Sequence, residues 1–245
     1  LGGDVIINSD QPAPAEFLQK ALALGLRTSQ QLSFPTMARA RDEDGGASKL
    51  VAFKAVAAGY PLRGNLRVAE GPGLSAELTR EIPAAGTVWV EAALLDALGL
   101  EMGQPLLLGD ASLRVSKIIV SEPDRGGGFV NFAPRVMMNT ADLEESKLLG
   151  LGSRATWRIY FTGPQPVIDQ LIAELTPVLS PVEEIETLEN GRPEVSNTLE
   201  RANDFLAMAA LIGTMVACVG IALVAHLFAK EQASELAVLK SLGYT

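Results

Sequence analysis

The sequence predicts a split ferredoxin-like α+β domain with an inserted β-rich subdomain, followed by a stalk and one transmembrane α-helix. Three observations predict it. Residues 205–228 contain no Asp, Glu, Lys or Arg. A strand–helix–strand–strand pattern near the start is answered, after residue 151, by strand–helix–strand, which together approximate a split ferredoxin-like layer. Between the two lies a stretch of short alternating runs and glycine turns with a character of its own.

The apolar run reads FLAMAALIGTMVACVGIALVAHLF, 24 residues. At about 1.5 Å per residue it reaches roughly 36 Å, enough for a hydrocarbon core of about 30 Å with some tilt. A buried core helix of a soluble protein is the alternative, but such helices are usually shorter and carry a polar stripe. Ala209, Gly213 and Ala217 recur at spacings of four, with Gly220 one turn later. Small residues on one face let helix backbones approach closely, so this face is expected to pack on other transmembrane helices. The plainer alternative, that Ala and Gly are simply common in membrane helices, stands level with it. His226, near the end of the run, reads as an interfacial histidine rather than a proton relay. Flanking charge barely orients the span, since Lys230 is followed by Glu231 and Arg201 precedes it.

In the first domain, residues 5–8 form a short strand, and 16–24 a helix with Phe17, Leu18, Ala21, Leu22 and Leu24 at helical spacing and Gly25 as its stop. Residues 27–40 and 49–56 read as two strands around the polar, Gly-rich turn ARDEDGGAS. The pattern resumes with a strand at 155–162, an amphipathic helix at 166–175 and a strand at 182–188. Residues 1–60 and 152–192 are therefore assigned to the split layer and 61–151 to the insert. Within the insert the sequence predicts a strand at 86–91, a helix at 92–100 ending near Gly99, a hairpin at 104–120 around Gly109-Asp110, a flexible loop at Gly126, Gly127 and Gly128, and a strand at 136–139. Pro193 suits a first helical position, and nothing from there to Phe205 breaks a helix, so 193–204 is expected to be a stalk. The chain opens at Leu1 without an initiator Met and stops after a helix-like run, so both ends are expected to be cuts in a longer protein.

Charge and composition exclude several functions. The net charge is −9, and the segment from residue 205 onward sums to zero, so the excess acid lies in residues 1–204. That argues against nucleic acid and against electrostatic docking on anionic lipid. The single cysteine, Cys218, and the single histidine, His226, both lie in the apolar run. The rest of the chain therefore offers no Ser-His-Asp or Cys-His nucleophilic site and few ways to hold zinc. No G-x-x-x-x-G-K-[ST] loop occurs, so ATP is not bound here in the P-loop manner. The acidic pairs Glu144-Glu145 and Glu183-Glu184 read as solvated surface. No catalytic residue, cofactor or metal ligand is assigned.

After the span, residues 229–242 read AKEQASELAVLKSL, with Leu236, Leu239 and Leu242 at spacings of three and Gly243 as a stop. A helix lying on the bilayer surface would favour a more basic polar face. The stretch Glu231, then Glu235-Leu236-Ala237-Val238-Leu239-Lys240-Ser241-Leu242-Gly243, resembles the segment after the second membrane helix in ABC transporter permeases of the MacB, FtsX and LolC/LolE superfamily. The outer domain is most similar to the YbbP-type permeases of that superfamily. The stretches that carry this are 52–56 (AFKAV) through 59–64 (GYPLRG), 122–126 (EPDRG) and 132–139 (FAPRVMMN).

The resemblance implies a porter-like outer domain on the periplasmic side of a bacterial inner membrane, comprising residues 1–204. It implies that residues 229–245 are a coupling helix that docks on a cytoplasmic ABC ATPase subunit through Glu231, Glu235, Leu236, Leu239, Lys240 and Leu242. It further implies a permease that extracts or exports lipidic or hydrophobic cargo, and an extracytoplasmic esterase or lysophospholipase as a partner. Two other functions compete. One is mechanotransmission to an outer hydrolase without transport. The other is a single-pass sensor, against which the 235–243 motif argues because a sensor needs no ATPase-docking helix.

Overall fold

A computed structural model describes residues 2–12, 14–125, 132–150, 155–180, 182–187 and 193–241; within 193–241 the side chains described are those of 202, 203, 205–230 and 232. The chain divides into two compact units, Leu1–Gly191 and Arg192–Thr245.

The first unit is built on one sheet. Strand β1 (Val5–Ser9) leads to α1 (Ala15–Ala23) and the long β2 (Arg27–Arg39), which turns back into β3 (Ser48–Val56). At the other end of the unit, β10 (Thr156–Thr162), α4 (Gln165–Leu175) and β11 (Glu184–Thr187) follow one another. Their strands lie in the order β11-β1-β10-β2 with every neighbour antiparallel. That is the strand order of a ferredoxin-like layer, and the sequence between β2 and β10 is the insertion that splits it. Because successive side chains alternate across a strand, Val5, Ile7, Ile159 and Phe161 share one face. They pack there against Phe17 and Ala21 of α1 and Ile168, Leu171 and Leu175 of α4.

The insertion carries β4 (Leu66–Ala69), β5 (Glu77–Thr79), β6 (Thr87–Val90), α2 (Ala92–Leu98), β7 (Pro105–Leu108), β8 (Ala111–Ser121), β9 (Arg135–Asn139) and α3 (Leu143–Ser146). It does not form a separate sheet. Strand β9 adds to β3 in parallel, β6 pairs β9, β8 pairs β6 in parallel, β7 pairs β8, and β7 returns to β2 at Ala38 and Arg39. Six strands thus close into a ring that shares β2 and β3 with the ferredoxin-like layer. Phe53, Ala55, Val88, Val90, Leu106, Val115 and Met138 fill its interior, and Leu94, Leu95 and Leu98 of α2 pack against them. A closure this small has room for side chains and nothing more.

Two glycines are fixed by geometry. Gly99 ends α2 in the left-handed region at φ 67°, its N–H reaching the Leu95 carbonyl. Gly109 makes the two-residue turn between β7 and β8 at φ 57°, where a Cβ would collide with the Ser146 carbonyl oxygen.

The second unit is one helix, α5 (Pro193–Ser241), of 49 residues. At 1.5 Å per residue it is about 74 Å long. Within its stretch Phe205–Lys230, eighteen consecutive residues have mean hydropathy 2.4, and none of these is buried. Thr214, a polar residue in this stretch, turns its hydroxyl back onto the Ala210 and Leu211 carbonyls at 3.0 and 2.8 Å. That satisfies the Thr214 hydroxyl within its own helix, as a lipid environment requires.

The expected elements are present with ends shifted by one or two residues. Strands β4 and β5 and the short α3 are additional, as are the parallel pairings that bind the insert into the sheet. The glycine loop at Gly126, Gly127 and Gly128 lies outside the described residues, as do Leu242 and Gly243.

Candidate functional site

Lys54 stands in the middle of β3, in the run Ala52-Phe53-Lys54-Ala55-Val56, and its side chain is 2% exposed. An ammonium group there is tolerated only if its protons are all taken. Its Nζ donates to the Tyr60 hydroxyl at 2.7 Å, Glu122 Oε2 at 2.8 Å and Asp124 Oδ1 at 2.7 Å. The Tyr60 hydroxyl donates to Asp124 Oδ1 at 2.5 Å, and the Tyr160 hydroxyl sits 2.5 Å from both Asp124 Oδ2 and Gln31 Oε1. Glu122 Oε1 accepts from Arg135 Nε at 2.6 Å, and a further nitrogen of Arg135 donates to the Ala52 carbonyl at 3.3 Å. Nearby, Arg125 pairs with Glu91, which also accepts the Arg135 backbone N–H at 3.0 Å.

Strand geometry explains the convergence. Lys54 registers with Met137 and Ala52 with Arg135 on β9, so Lys54 and Arg135 share a face. Tyr160 and Arg158 occupy the same face on β10. Glu122 and Asp124 come from the segment that leaves β8 and folds over that face. Tyr60, Tyr160, Trp89, Met137 and Ile6 pack beside it as an apolar cluster.

The electrostatics are balanced, with Lys54 and Arg135 facing Glu122 and Asp124. Burial by itself would raise the Asp124 carboxyl. The Lys54 charge and hydrogen bonds from Lys54, Tyr160 and Tyr60 outweigh it and hold the group well below the ordinary carboxylate range. Burial, followed by the Asp124 charge, pushes both Tyr60 and Tyr160 well up, so they stay neutral donors. Among the described residues every buried side-chain polar atom has a partner, so this cluster presents no open position to a ligand. Among the described residues no group of three or more His, Cys, Asp or Glu is arranged to hold a metal ion.

The residues expected from the sequence fall on α5. Ala209, Gly213, Ala217 and Gly220 all lie in its exposed apolar stretch. Glu231, Glu235, Leu236, Leu239 and Lys240 are on the helical backbone with their side chains outside the description, and Leu242 is outside it altogether. The buried ion cluster was not singled out as a site. Its signal was a lysine inside an otherwise apolar strand, and it is assembled from the very stretches, 52–64, 122–126 and 132–139, on which the permease resemblance rests.

A folded domain followed by an apolar helix long enough to cross a bilayer is the plan of an inner-membrane protein with an extracytoplasmic segment. No family model matches the chain. It is 32% identical over 243 residues to the ABC transporter permease YbbP of Escherichia coli (strain K12), covering 99% of this chain and 29% of that protein. The chain thus spans under a third of the length of that relative. Its fold is similar to the periplasmic region of MacB from Actinobacillus actinomycetemcomitans, with a TM-score of 0.50 at 10% identity over 83% of this chain and 94% of that one. The extracellular domain of the ABC-type transporter YknZ from Gram-positive bacteria aligns with a TM-score of 0.47 at 12% identity, over 75% of this chain and all of that one. The resemblance to YbbP-type permeases read from the sequence is borne out by that relative, and the expected porter-like fold by the periplasmic region of MacB.

Proposed function

We propose that this chain is a segment of the permease subunit of an ABC transporter, in which ATP hydrolysis by a cytoplasmic partner subunit moves the extracytoplasmic domain. The observation that carries this reading is α5, a helix unbroken from Pro193 through the apolar stretch to Ser241. A continuous helix has no hinge at which displacement of one end is lost to the other. In this reading residues 193–204 are the stalk, 205–228 cross the membrane, and 229–245 dock on the ATPase. Leu236, Leu239 and Leu242 form the apolar contact, and Glu231, Glu235 and Lys240 lie nearer its rim. Ala209, Gly213, Ala217 and Gly220 pack against other helices of the same permease. The cargo is lipidic or hydrophobic, and an extracytoplasmic esterase or lysophospholipase is a further partner.

A second reading, force transmission to an outer hydrolase without transport, draws on the filled β-ring. With Phe53, Leu106, Val115 and Met138 packed inside it, the ring itself offers no lumen for a lipid.

The test is Leu239→Glu in the complete permease. A charge placed in a buried apolar contact costs several kcal/mol, about what holds such an interface together. The expected result is loss of ATPase co-purification and of coupled ATPase activity. Unchanged co-purification and activity would falsify the docking assignment.

A further inference from the structure

On the sheet face opposite α1 and α4, polar side chains line six neighbouring strands in two hydrogen-bonded runs that meet on β10. The first begins at Glu186 on β11, the last strand before α5. Glu186 Oε1 accepts from Asn8 Nδ2 on β1 at 2.5 Å, and Asn8 Oδ1 accepts from Arg158 Nε on β10 at 2.9 Å. Arg158 and Tyr160 stand two residues apart on the same face of β10. The Tyr160 hydroxyl reaches Gln31 on β2 and Asp124, Asp124 accepts from Lys54 on β3, and Lys54 also donates to Glu122. Glu122 closes the chain on Arg135 of β9, a strand of the ring. The strands so crossed, β11-β1-β10-β2-β3-β9, run from one edge of the ferredoxin-like layer into the insertion.

The backbone bridge between layer and ring is the β2–β3 pairing, Gln31 to Arg39 on Ser48 to Val56. These two strands belong to both, and ring closure onto β2 takes only Ala38 and Arg39. A sheet can twist about such a bridge, and twisting changes the spacing of side chains along a face. Buried ion pairs add little net stability over apolar packing, but they are strict about geometry, because a partner that drifts leaves a buried charge unpaired. Lys54 has all three protons committed, one to Tyr60 and two to the segment after β8, and Asp124 accepts from three side chains. We propose that this polar chain locks the ferredoxin-like layer and the β-ring at one angle, so that a displacement delivered to the layer carries the ring with it. The proposal rests on the reading that the outer domain is moved from the membrane side, and it names the side chains that keep the moved domain a single body.

The experiment measures a spin-label distance within the full chain in lipid nanodiscs. Labels go on Ser75 in the insertion and Gln170 on α4, both exposed, with Cys218→Ala to remove the native thiol. The unaltered network should give one narrow distance distribution. Lys54→Met with Asp124→Asn removes one cation and one anion together and leaves Glu122 paired with Arg135, so charge stays balanced while the chain is cut. Tyr160→Phe is the milder cut, removing only the hydroxyl that ties β10 to Gln31 and Asp124. Each should widen the distribution at least twofold while circular dichroism reports a folded domain. A width unchanged in both variants overturns the proposal. The measurement needs no ATPase, so failure of the Leu239→Glu experiment leaves a widened distribution standing as evidence for the lock. Equally, an unchanged width removes the lock without touching the docking assignment.

Discussion

The first unit buries Leu32, Phe53, Leu94, Val115 and Phe161 among its own side chains, whereas α5 leaves Phe205, Leu206, Leu211, Val216, Ile221 and Phe228 each more than half exposed. The same residue types are stabilised in the first case by protein and in the second only by surroundings the chain does not itself supply. Polar groups follow the same division. Lys54 in the folded unit has its demands met by three neighbouring side chains. Thr214 in α5 meets its own by bonding back to its helix. A substitution should therefore act through protein packing in one unit and through the bilayer in the other.

The largest effect is expected at Lys54. Replacing it with Met strands Glu122 and Asp124 as buried carboxylates facing a single cation, Arg135. Breaking a buried pair from one side costs about 3–5 kcal/mol. Chemical denaturation followed by tryptophan fluorescence should register that loss, and a cost below about 1 kcal/mol would contradict the assigned role. The same cluster sets the pH dependence. The folded-state pKa of Asp124 is depressed, so its contribution is present above the unfolded carboxylate value near 4 and is lost as pH falls through the lower folded value. Tyr60 and Tyr160 are raised, so theirs is complete below about pH 10 and is lost as pH climbs through the higher folded values. A stability profile should fall at both extremes, and Lys54→Met with Asp124→Asn should flatten the acid limb.

In α5 the corresponding disturbance is Val216→Lys, which puts a charge near the centre of the apolar stretch. Insertion scales assign about 2.5–3.5 kcal/mol to a lysine there. A glycosylation-mapping assay should show reduced insertion, while the melting of the first unit stays where it was. If the domain melts earlier instead, the two units are not separable in this way.

A smaller effect, again confined to the folded unit, is expected at Gly109. Alanine there meets both the positive φ and the Ser146 carbonyl. A destabilisation of roughly 1–3 kcal/mol should follow. An unchanged denaturation midpoint would show that the β7–β8 turn relaxes freely.

Much of the fold was legible because local periodicity carries it. Phe17, Ala21, Ile168 and Leu171 announce two helices that bury one stripe, and the ARDEDGGAS turn announces the β2–β3 hairpin. What was not legible is long-range. Leu66–Ala69 and Glu77–Thr79 are too short to show alternation, and nothing local says that β9 will lie parallel to β3. The ring follows from that pairing, so it was hidden as well. Lys54 was legible only as an anomaly, because its partners Glu122 and Asp124 lie 68 and 70 residues away. Register, which decides whether they meet, is a property of the assembled sheet. Conversely, α5 was the most legible element of all, since crossing a bilayer depends on composition and length alone.

The smallest effect sharpens the comparison from the other side. Ala217, Gly220, Ile221, Val224 and Phe228 outline a shallow apolar depression on α5, one strip of helix surface in which the small residues leave room. Ala217→Leu fills it. In the isolated chain the side chain at 217 is exposed, so the first unit should keep its stability within about 0.5 kcal/mol, as surface changes do. Reconstitution of the chain in bilayers should likewise be unaffected, because leucine is as apolar as the residue it replaces. If the small face exists to admit another helix, the cost emerges only in the complete permease, where an added isobutyl group holds two backbones apart and forfeits close contact along the strip. The comparison is therefore between the melting of the full permease and that of the isolated chain carrying the same change. A loss seen only in the former assigns the face to helix packing. Equal, negligible shifts in both would mean that Ala209, Gly213, Ala217 and Gly220 face lipid and are small for no structural reason.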